Sequence, residues 1–408
     1  MTLPVDRNII LTERFMKELL SEGIRSTPAS FVRGILKVAA DPGIISFAGG
    51  LPNPISFPQD ALLESMERIV KTYGSKVFQY SLTAGLPELR GYIAERYRSK
   101  LGLEFSEDDI IVTTGSQQAL DLIAKVLLDK GDGVVVENPT YLAAIQAFSM
   151  SMPKFRPVEL TADGMDAEQL RGALRHDDVK FVYAIPNFQN PTGLTYSAAC
   201  RERVCAVLGE RETVLIEDDP YGELMFGGTR LPYIGAGKLK NSILLGTFSK
   251  TCTPGMRTGY IVCKNAELMK HISVAKEASD LHTNIFSQYL IYDYLTHNDY
   301  DAHIARITEL YRRQADAMIS AMRKYFPPTV SYTEPKGGMF LWVTLPEGVS
   351  AMSLFPKALE SKVAFVPGDP FYVDRKDANT MRLNFTNADC ATIEEGIRRL
   401  GALLGDMP

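Results

Sequence analysis

Short apolar runs that end in polar, glycine- or proline-bearing clusters recur through the middle of the chain. Ile110-Ile111-Val112-Thr113 leads into Gly115-Ser116-Gln117-Gln118, and Val134-Val135-Val136 into Glu137-Asn138-Pro139-Thr140-Tyr141. The run 180–185 leads into Pro186-Asn187-Phe188-Gln189-Asn190-Pro191-Thr192-Gly193, and the run 213–216 into Glu217-Asp218-Asp219-Pro220-Tyr221. Short runs of apolar or β-branched residues bounded by turn formers predict buried strands. A helix that opens at Gly115 and stops before Gly131 makes the first strand–helix unit. The repetition predicts an α/β domain with a parallel sheet and helices on both faces. In such sheets ligands bind beyond the carboxyl ends of the strands, where all these polar clusters fall.

A fifth run differs. Ile243-Leu244-Leu245 ends in Gly246-Thr247-Phe248-Ser249-Lys250, and after Pro254, Gly255 and Arg257 another apolar run begins at Tyr260. This predicts strand, turn, strand, with a single lysine at the tip. Upstream, helical spacing covers 60–72 and 87–100, and Ser46 to Pro54 is an irregular loop holding Gly49 and Gly50. Residues 12–20 and 30–40 read as two amphipathic helices, with 23–28 a mobile connection between them. Downstream come helices within 266–295 and at 300–325, then strands at 337–343, 363–366 and 381–385, and a helix at 391–404. The change of pattern predicts a smaller α+β domain over 296–408. The large domain then spans 46–295, and residues 1–45 form an arm that joins the small domain and gates the site.

Composition narrows the classes. The 408 residues are 45% hydrophobic and 23% charged, with a net charge of −5; nucleic acid and anionic membranes are poor partners for such a chain. No apolar run approaches a membrane span of about 18 residues, and the N-terminus lacks a signal pattern, so the expected location is the cytoplasm. Five cysteines without a CxxC pair, and five histidines without ligand spacing, predict free thiols and no metal site.

Lys250 sits just past a strand end, on a rigid base from which an amine reaches into a cleft. Thr247, Ser249 and Arg257 surround it with phosphate-binding groups. An amine forms a Schiff base with a carbonyl, and pyridoxal phosphate offers both an aldehyde and a phosphate. The open helix start at Gly115-Ser116-Gln117 supplies a second anion site. Taken alone, these residues also describe a solvated turn lysine, and Gly49-Gly50 a plain connecting loop as readily as a close backbone approach to ligand.

Seven motifs in order, FAGGLPNP, QYSLTAGLPELR, TTGSQQALDL, QNPTG, EDDPYGEL, SKTCTPGMRTGY and MRLNF, resemble those of the fold type I, class I/II aminotransferases, nearest the 2-aminoadipate and kynurenine group. The resemblance implies a seven-stranded large domain, pyridoxal phosphate as cofactor, and exchange of an amino group between an L-amino acid (2-aminoadipate, aromatic or branched-chain) and 2-oxoglutarate. It implies Lys250 as the residue linked to the cofactor and as proton shuttle. Asp218 pairs with the pyridine nitrogen, Asn190 and Tyr221 bond the ring's phenolic oxygen, and Tyr141 stacks on the ring. Ser116, Gln117, Thr247 (serine in many relatives), Ser249 and Arg257 hold the phosphate. Tyr80 reaches the phosphate of a neighbouring subunit, so a homodimer is implied. Arg382 grips the substrate carboxylate, with Asn190 and Gly50 beside it, and Arg33 reads an acidic side chain. Two other functions share the scaffold: β-lyase chemistry, and the effector domain of transcription regulators, for whose winged helix residues 1–45 leave no room.

Overall fold

A computed structural model describes residues 19–28, 34–35 and 41–405. The helices expected at 12–20 and 30–40 fall almost wholly outside them, and Arg33 lies outside them too. The connection expected at 23–28 is instead partly ordered as a five-residue helix, Glu22–Ser26. Ser21 caps it, and the Ser26 and Thr27 hydroxyls both donate to the Gly23 carbonyl. Short hydroxyl side chains at both ends satisfy the groups that such a turn leaves open.

Strands number in chain order. The first, β1 (Ile45–Ser46), precedes eight that form the large sheet. These are β2 (Ile110–Thr113), β3 (Gly133–Asn138), β4 (Lys154–Thr161), β5 (Gly164–Met165), β6 (Val179–Ala184), β7 (Val214–Asp218), β8 (Ser242–Thr247) and β9 (Gly259–Cys263). Their spatial order is β2-β9-β8-β7-β6-β3-β4-β5. Strands β8, β7, β6, β3 and β4 run parallel, as expected for the large domain; β9 enters antiparallel between β8 and β2. The two-residue β5 adds an eighth strand at the edge, antiparallel to the end of β4. The central strands are buried on both faces, which is why they read as unbroken apolar runs rather than alternating ones. Strand β4 escaped that reading because Lys154, Arg156, Pro157 and Glu159 interrupt it. An edge position tolerates the proline and the charges.

The small sheet holds β10 (Ser331–Tyr332), β11 (Phe340–Thr344), β13 (Val366–Pro367) and β14 (Thr380–Asn384) in the order β10-β11-β14-β13, all antiparallel. The single strand expected at 363–366 is split. Its first half, β12 (Val363–Ala364), pairs parallel with β1, and its second half joins β14. Helices Tyr300–Tyr325 and Cys390–Gly405 pack together over this sheet through Met318, Met322, Ile393, Ile397 and Leu400, against Leu341, Val343 and Leu383. Each such side chain contributes about 1.5–3 kcal/mol on burial, so β14 stands on a firm base. No helix of the described residues is long and apolar enough to cross a membrane.

Candidate active site

One cavity of about 430 Å³ collects side chains from the carboxyl ends of the parallel strands and from the small sheet. Ser116 and Gln117 follow β2, Tyr141 follows β3, Asn190 follows β6, Asp218 ends β7, and Thr247 ends β8. Gly50, Tyr221, Ser249, Lys250 and Arg257 line it as well, with Phe340 of β11 and Arg382 of β14 opposite. The register explains the meeting: Gly259 pairs with Thr113 on one side and with Thr247 on the other. A Cβ at 259 would lie 2.9 Å from the Ser116 nitrogen and from the Gly246 carbonyl. Glycine there lets the turn after β2 and the Lys250 turn close on each other.

Lys250 Nζ donates to the Gly50 carbonyl at 2.9 Å. Burial, and then the charges of Arg382 and Arg257, push this amine down from 10.5 to about 8. A useful share of it is therefore neutral, and nucleophilic, near physiological pH.

The acidic triplet at the end of β7 divides by face, as strand alternation requires. Glu217 accepts the amides of Ile234 (2.7 Å) and Gly235 (2.8 Å). Asp219 accepts from Asn187 Nδ2 (2.9 Å), Arg230 Nη2 (2.6 Å) and the Tyr233 hydroxyl (2.5 Å). Asp218 faces the cavity: its Oδ2 accepts the Tyr183 hydroxyl at 2.8 Å, and its buried Oδ1 has no partner. Burial raises its carboxyl from 3.8 to about 7, the state of an acid poised for a cation.

Across the cavity is an anion-seeking end. Helix Gly115–Leu127 starts without a side-chain cap, which leaves first-turn amides open, and the Ser116 hydroxyl is buried without a partner. Gln117 turns its side chain to the Ala143 carbonyl (3.1 Å) and so offers the turn its backbone. Thr247 Oγ1 donates to Ser249 Oγ at 3.0 Å. Arg257, at φ 49°, lays its guanidinium on Gly115, where a Cβ would come within 2.5 Å of Nη2; the glycine's own φ of 73° is one that residues with a side chain rarely adopt.

Arg382 is buried between the rings of Phe340 (4.2 Å) and Phe371 (5.1 Å). Its Nη1 donates to Asn190 Oδ1 (2.9 Å) and its Nη2 to the Ala48 carbonyl (2.8 Å), while Nε has no partner. Burial lowers it from 12.5 to about 10, so it stays cationic. Burial also raises the phenols of Tyr141 and Tyr221, keeping both protonated, and Tyr221 stands edge-on to Phe340.

Of the residues singled out from the sequence, this cavity gathers all but two. Tyr80 is 79% exposed on the outer surface, edge-on to His282 and away from the cavity of its own chain; Arg33 is outside the described residues. Sequence reasoning passed over Tyr183, which looked like one more apolar position of β6. Its pairing with Ile216 places it diagonal to Asp218, a relation visible only once strand register is known.

The chain matches the family described as Aminotransferase class I and II over residues 55–400. It is 41% identical to the 2-aminoadipate transaminase of Thermus thermophilus, over 95% of this chain and 96% of that one. It is 40% identical to aromatic-amino-acid aminotransferase 1 of Thermococcus litoralis, over 94% and 93% of the two chains. A crystal structure of alpha-aminoadipate aminotransferase from Thermus thermophilus, complexed with N-(5'-phosphopyridoxyl)-L-leucine, superposes with a TM-score of 0.89 at 40% identity, covering 96% of this chain and 98% of that chain.

Proposed function

The chain belongs to the class I and II aminotransferases and works with pyridoxal phosphate; from that premise we propose what each residue of the cavity does. The carrying observation is a set of three buried, unpartnered polar atoms in the cavity: the Ser116 hydroxyl, Asp218 Oδ1 and Arg382 Nε. They suit a phosphate, a protonated ring nitrogen and a carboxylate respectively, so the residues fit the cofactor and an amino-acid substrate together. Ser116, the amide of Gln117, Thr247, Ser249 and Arg257 hold the phosphate. Asp218 bonds the pyridine nitrogen, Asn190 and Tyr221 the phenolic oxygen, and Tyr141 covers the ring.

Bound pyridoxal phosphate supplies an aldehyde that carries the amino group and a ring that accepts the electron pair left at the substrate Cα. The protein's own part is positional and acid–base. Lys250, a share of which is neutral because its pKa is depressed, would be the amine that holds the cofactor's aldehyde at rest. Once displaced by the substrate's own amine, the freed Lys250 amine would be the group that moves a proton between the substrate Cα and C4′. Asp218, ionised beside a cation, keeps the ring nitrogen protonated, and Tyr183 holds the second carboxylate oxygen so that Oδ1 alone turns inward. Arg382 takes the substrate α-carboxylate through Nε and the remaining guanidinium protons, with Asn190 fixing its plane. Gly50, whose carbonyl receives the resting amine, borders the substrate.

The amino donors we propose are L-2-aminoadipate, aromatic and branched-chain amino acids, with 2-oxoglutarate as acceptor. Support comes from relatives named for the first two and from the leucine adduct in the Thermus structure. Arg33 would receive the acidic side chain. The working unit would be a homodimer in which Tyr80, outward-facing here, completes the phosphate site of the other copy. Five free thiols suit the cytoplasm. The test is a panel of L-amino acids with 2-oxoglutarate, reading glutamate against released ammonia. Glutamate in stoichiometry with the 2-oxo product supports transamination; ammonia without glutamate would assign β-elimination instead.

A further inference from the structure

Behind the phosphate-seeking turn lies a buried ion pair that the reaction does not use. Lys276, on helix Ala266–Asp280, is fully buried. Its ammonium donates to Asp280 Oδ1 (2.8 Å) and Oδ2 (3.1 Å), to Gln118 Oε1 (3.1 Å) and to Thr283 Oγ1 (3.0 Å). Gln118 Nε2 donates in turn to Asp280 Oδ2 at 2.6 Å. All the polar atoms of this amide and this carboxylate are therefore engaged within one cluster.

The cluster reaches the phosphate-seeking turn through Thr114, while Thr283 Oγ1 also donates to the Val112 carbonyl of β2 at 3.3 Å. The Thr114 amide donates to Gln118 Oε1 at 2.8 Å, and its hydroxyl lies 3.3 Å from both Asp280 Oδ2 and Thr283 Oγ1. Its carbonyl is the group that Arg257 Nη2 approaches at 3.5 Å. Thr114 immediately precedes Gly115, Ser116 and Gln117, so its three polar groups set the direction in which the open amides and the Ser116 hydroxyl point. With Lys276 wholly buried and Asp280 a quarter exposed, the pair adds little stability, because taking the ammonium out of water costs about as much as the attraction returns. What it provides is a fixed geometry, since each partner has only one arrangement that satisfies the others.

We propose that Lys276, Asp280 and Gln118 form a brace that sets the affinity of the site for the cofactor's phosphate. They are positioning residues, and they act through Thr114. The proposal rests on the reading of the Ser116 turn as the phosphate site.

Without the brace, Thr114 gains alternative rotamers and the first-turn amides of helix Gly115–Leu127 lose their common direction. The ring end of the cavity, with Asp218, Tyr141 and Lys250, makes no hydrogen bond with the cluster and keeps its geometry. The consequence is selective for the phosphate.

The test measures equilibrium affinity of the full-length chain for pyridoxal phosphate and for pyridoxal, followed by cofactor absorbance. Gln118→Leu leaves the Lys276–Asp280 pair in place and removes the cluster's shortest link to Thr114, the 2.8 Å bond from its amide, leaving only the two 3.3 Å hydroxyl contacts. Lys276→Met breaks the pair itself, and should it fail to fold, Gln118→Leu still decides. Each variant should weaken pyridoxal phosphate by roughly 10- to 100-fold, the equivalent of one charge-assisted hydrogen bond, with pyridoxal changed less than about twofold. Amide exchange of a peptide spanning 113–120 should quicken in the same variants. Ser116→Ala and Arg257→Met provide the reference, since the phosphate reading requires that they too lower the ratio of the two affinities. If they do and the brace variants leave the ratio unchanged, or lose both ligands equally, the brace is overturned. If the reference variants leave the ratio unchanged, the phosphate site itself has been misplaced.

Discussion

The depressed pKa of Lys250 makes a quantitative prediction for the cofactor-free protein. An amine pushed from 10.5 to about 8 is about 10% neutral at pH 7, against roughly 0.03% for an ordinary lysine, a difference of roughly 300-fold in the reactive form. Site-resolved reductive methylation with formaldehyde, read by peptide mass spectrometry across pH 6–11, should place the Lys250 inflection near 8. Burial is the first cause, followed by Arg382 and then Arg257. Arg257→Met should therefore move the inflection up only a little, Arg382→Met somewhat further, and the double variant should still fall short of 10.5.

The same shift has a sign for stability. Between about pH 8 and 10.5 the unfolded chain binds a proton at Lys250 that the folded one does not, so stability rises with pH across that window. Below 8 the full penalty applies, about 3 kcal/mol at face value for 2.5 pH units. Lys250 is only partly enclosed, and water in the cavity screens part of this. Its replacement also leaves the Gly50 carbonyl unpaired, at about 1 kcal/mol. Cofactor-free Lys250→Met should then be about 1–2 kcal/mol more stable than the parent at pH 7, with the gain disappearing as pH approaches 10.5. A Lys250 inflection at or above 10, or a Lys250→Met variant no more stable at any pH, would refute the account of the site as a cation-rich, poorly solvated pocket.

Other outcomes are sharply defined. Asp218→Asn should slow substrate Cα proton removal by at least about 100-fold while the chain still takes up cofactor. Asp219→Asn should instead lower stability by up to about 3–5 kcal/mol, because it strands Arg230, with near-normal half-reaction rates in whatever remains folded; an exchange of these two phenotypes in single-turnover kinetics would show that the wrong carboxylate was chosen. Arg382→Lys, which keeps the charge but loses the fork, should raise KM for every amino donor by roughly 10- to 100-fold; a donor-selective effect would assign Arg382 to side-chain recognition. Arg33→Ala should raise KM for glutamate or 2-aminoadipate roughly 10- to 150-fold more than for leucine, and equal losses would remove Arg33 from the site.

Most of the cavity was legible from the sequence because its residues sit where strands end, and strand ends are marked by abrupt changes in polarity. Asp218, Asn190, Tyr141 and Lys250 all follow apolar runs by a few residues. The supports behind them were not legible. Tyr183 and Lys276 lie inside regular elements, where their neighbours describe a strand and a helix and nothing else. Their partners are 35 residues away for Tyr183 and 158 for the Lys276–Gln118 bond. Split strand 363–367 was unreadable for a similar reason: one apolar run serves two sheets, and only the position of β1 decides where it divides. Strand β4 was hidden by the charges an edge permits.

The three consecutive acids at the end of β7 carry a further consequence. Because this strand is buried on both faces, its apolar residues would fit nearly as well after sliding by one position, and hydrophobic patterning does not fix where it stops. A slip would even leave a carboxylate at the cavity wall, Glu217 or Asp219 standing in for Asp218. What forbids it is the other two acids. Displaced by one residue, they would desert two amides of the 234–235 loop and the guanidinium of Arg230 while facing the wrong side of the sheet. Glu217 and Asp219 thus act as the wards of a key. They take no part in the chemistry, yet they ensure that when the sheet assembles, the carboxylate turned inward is the one with an oxygen to spare.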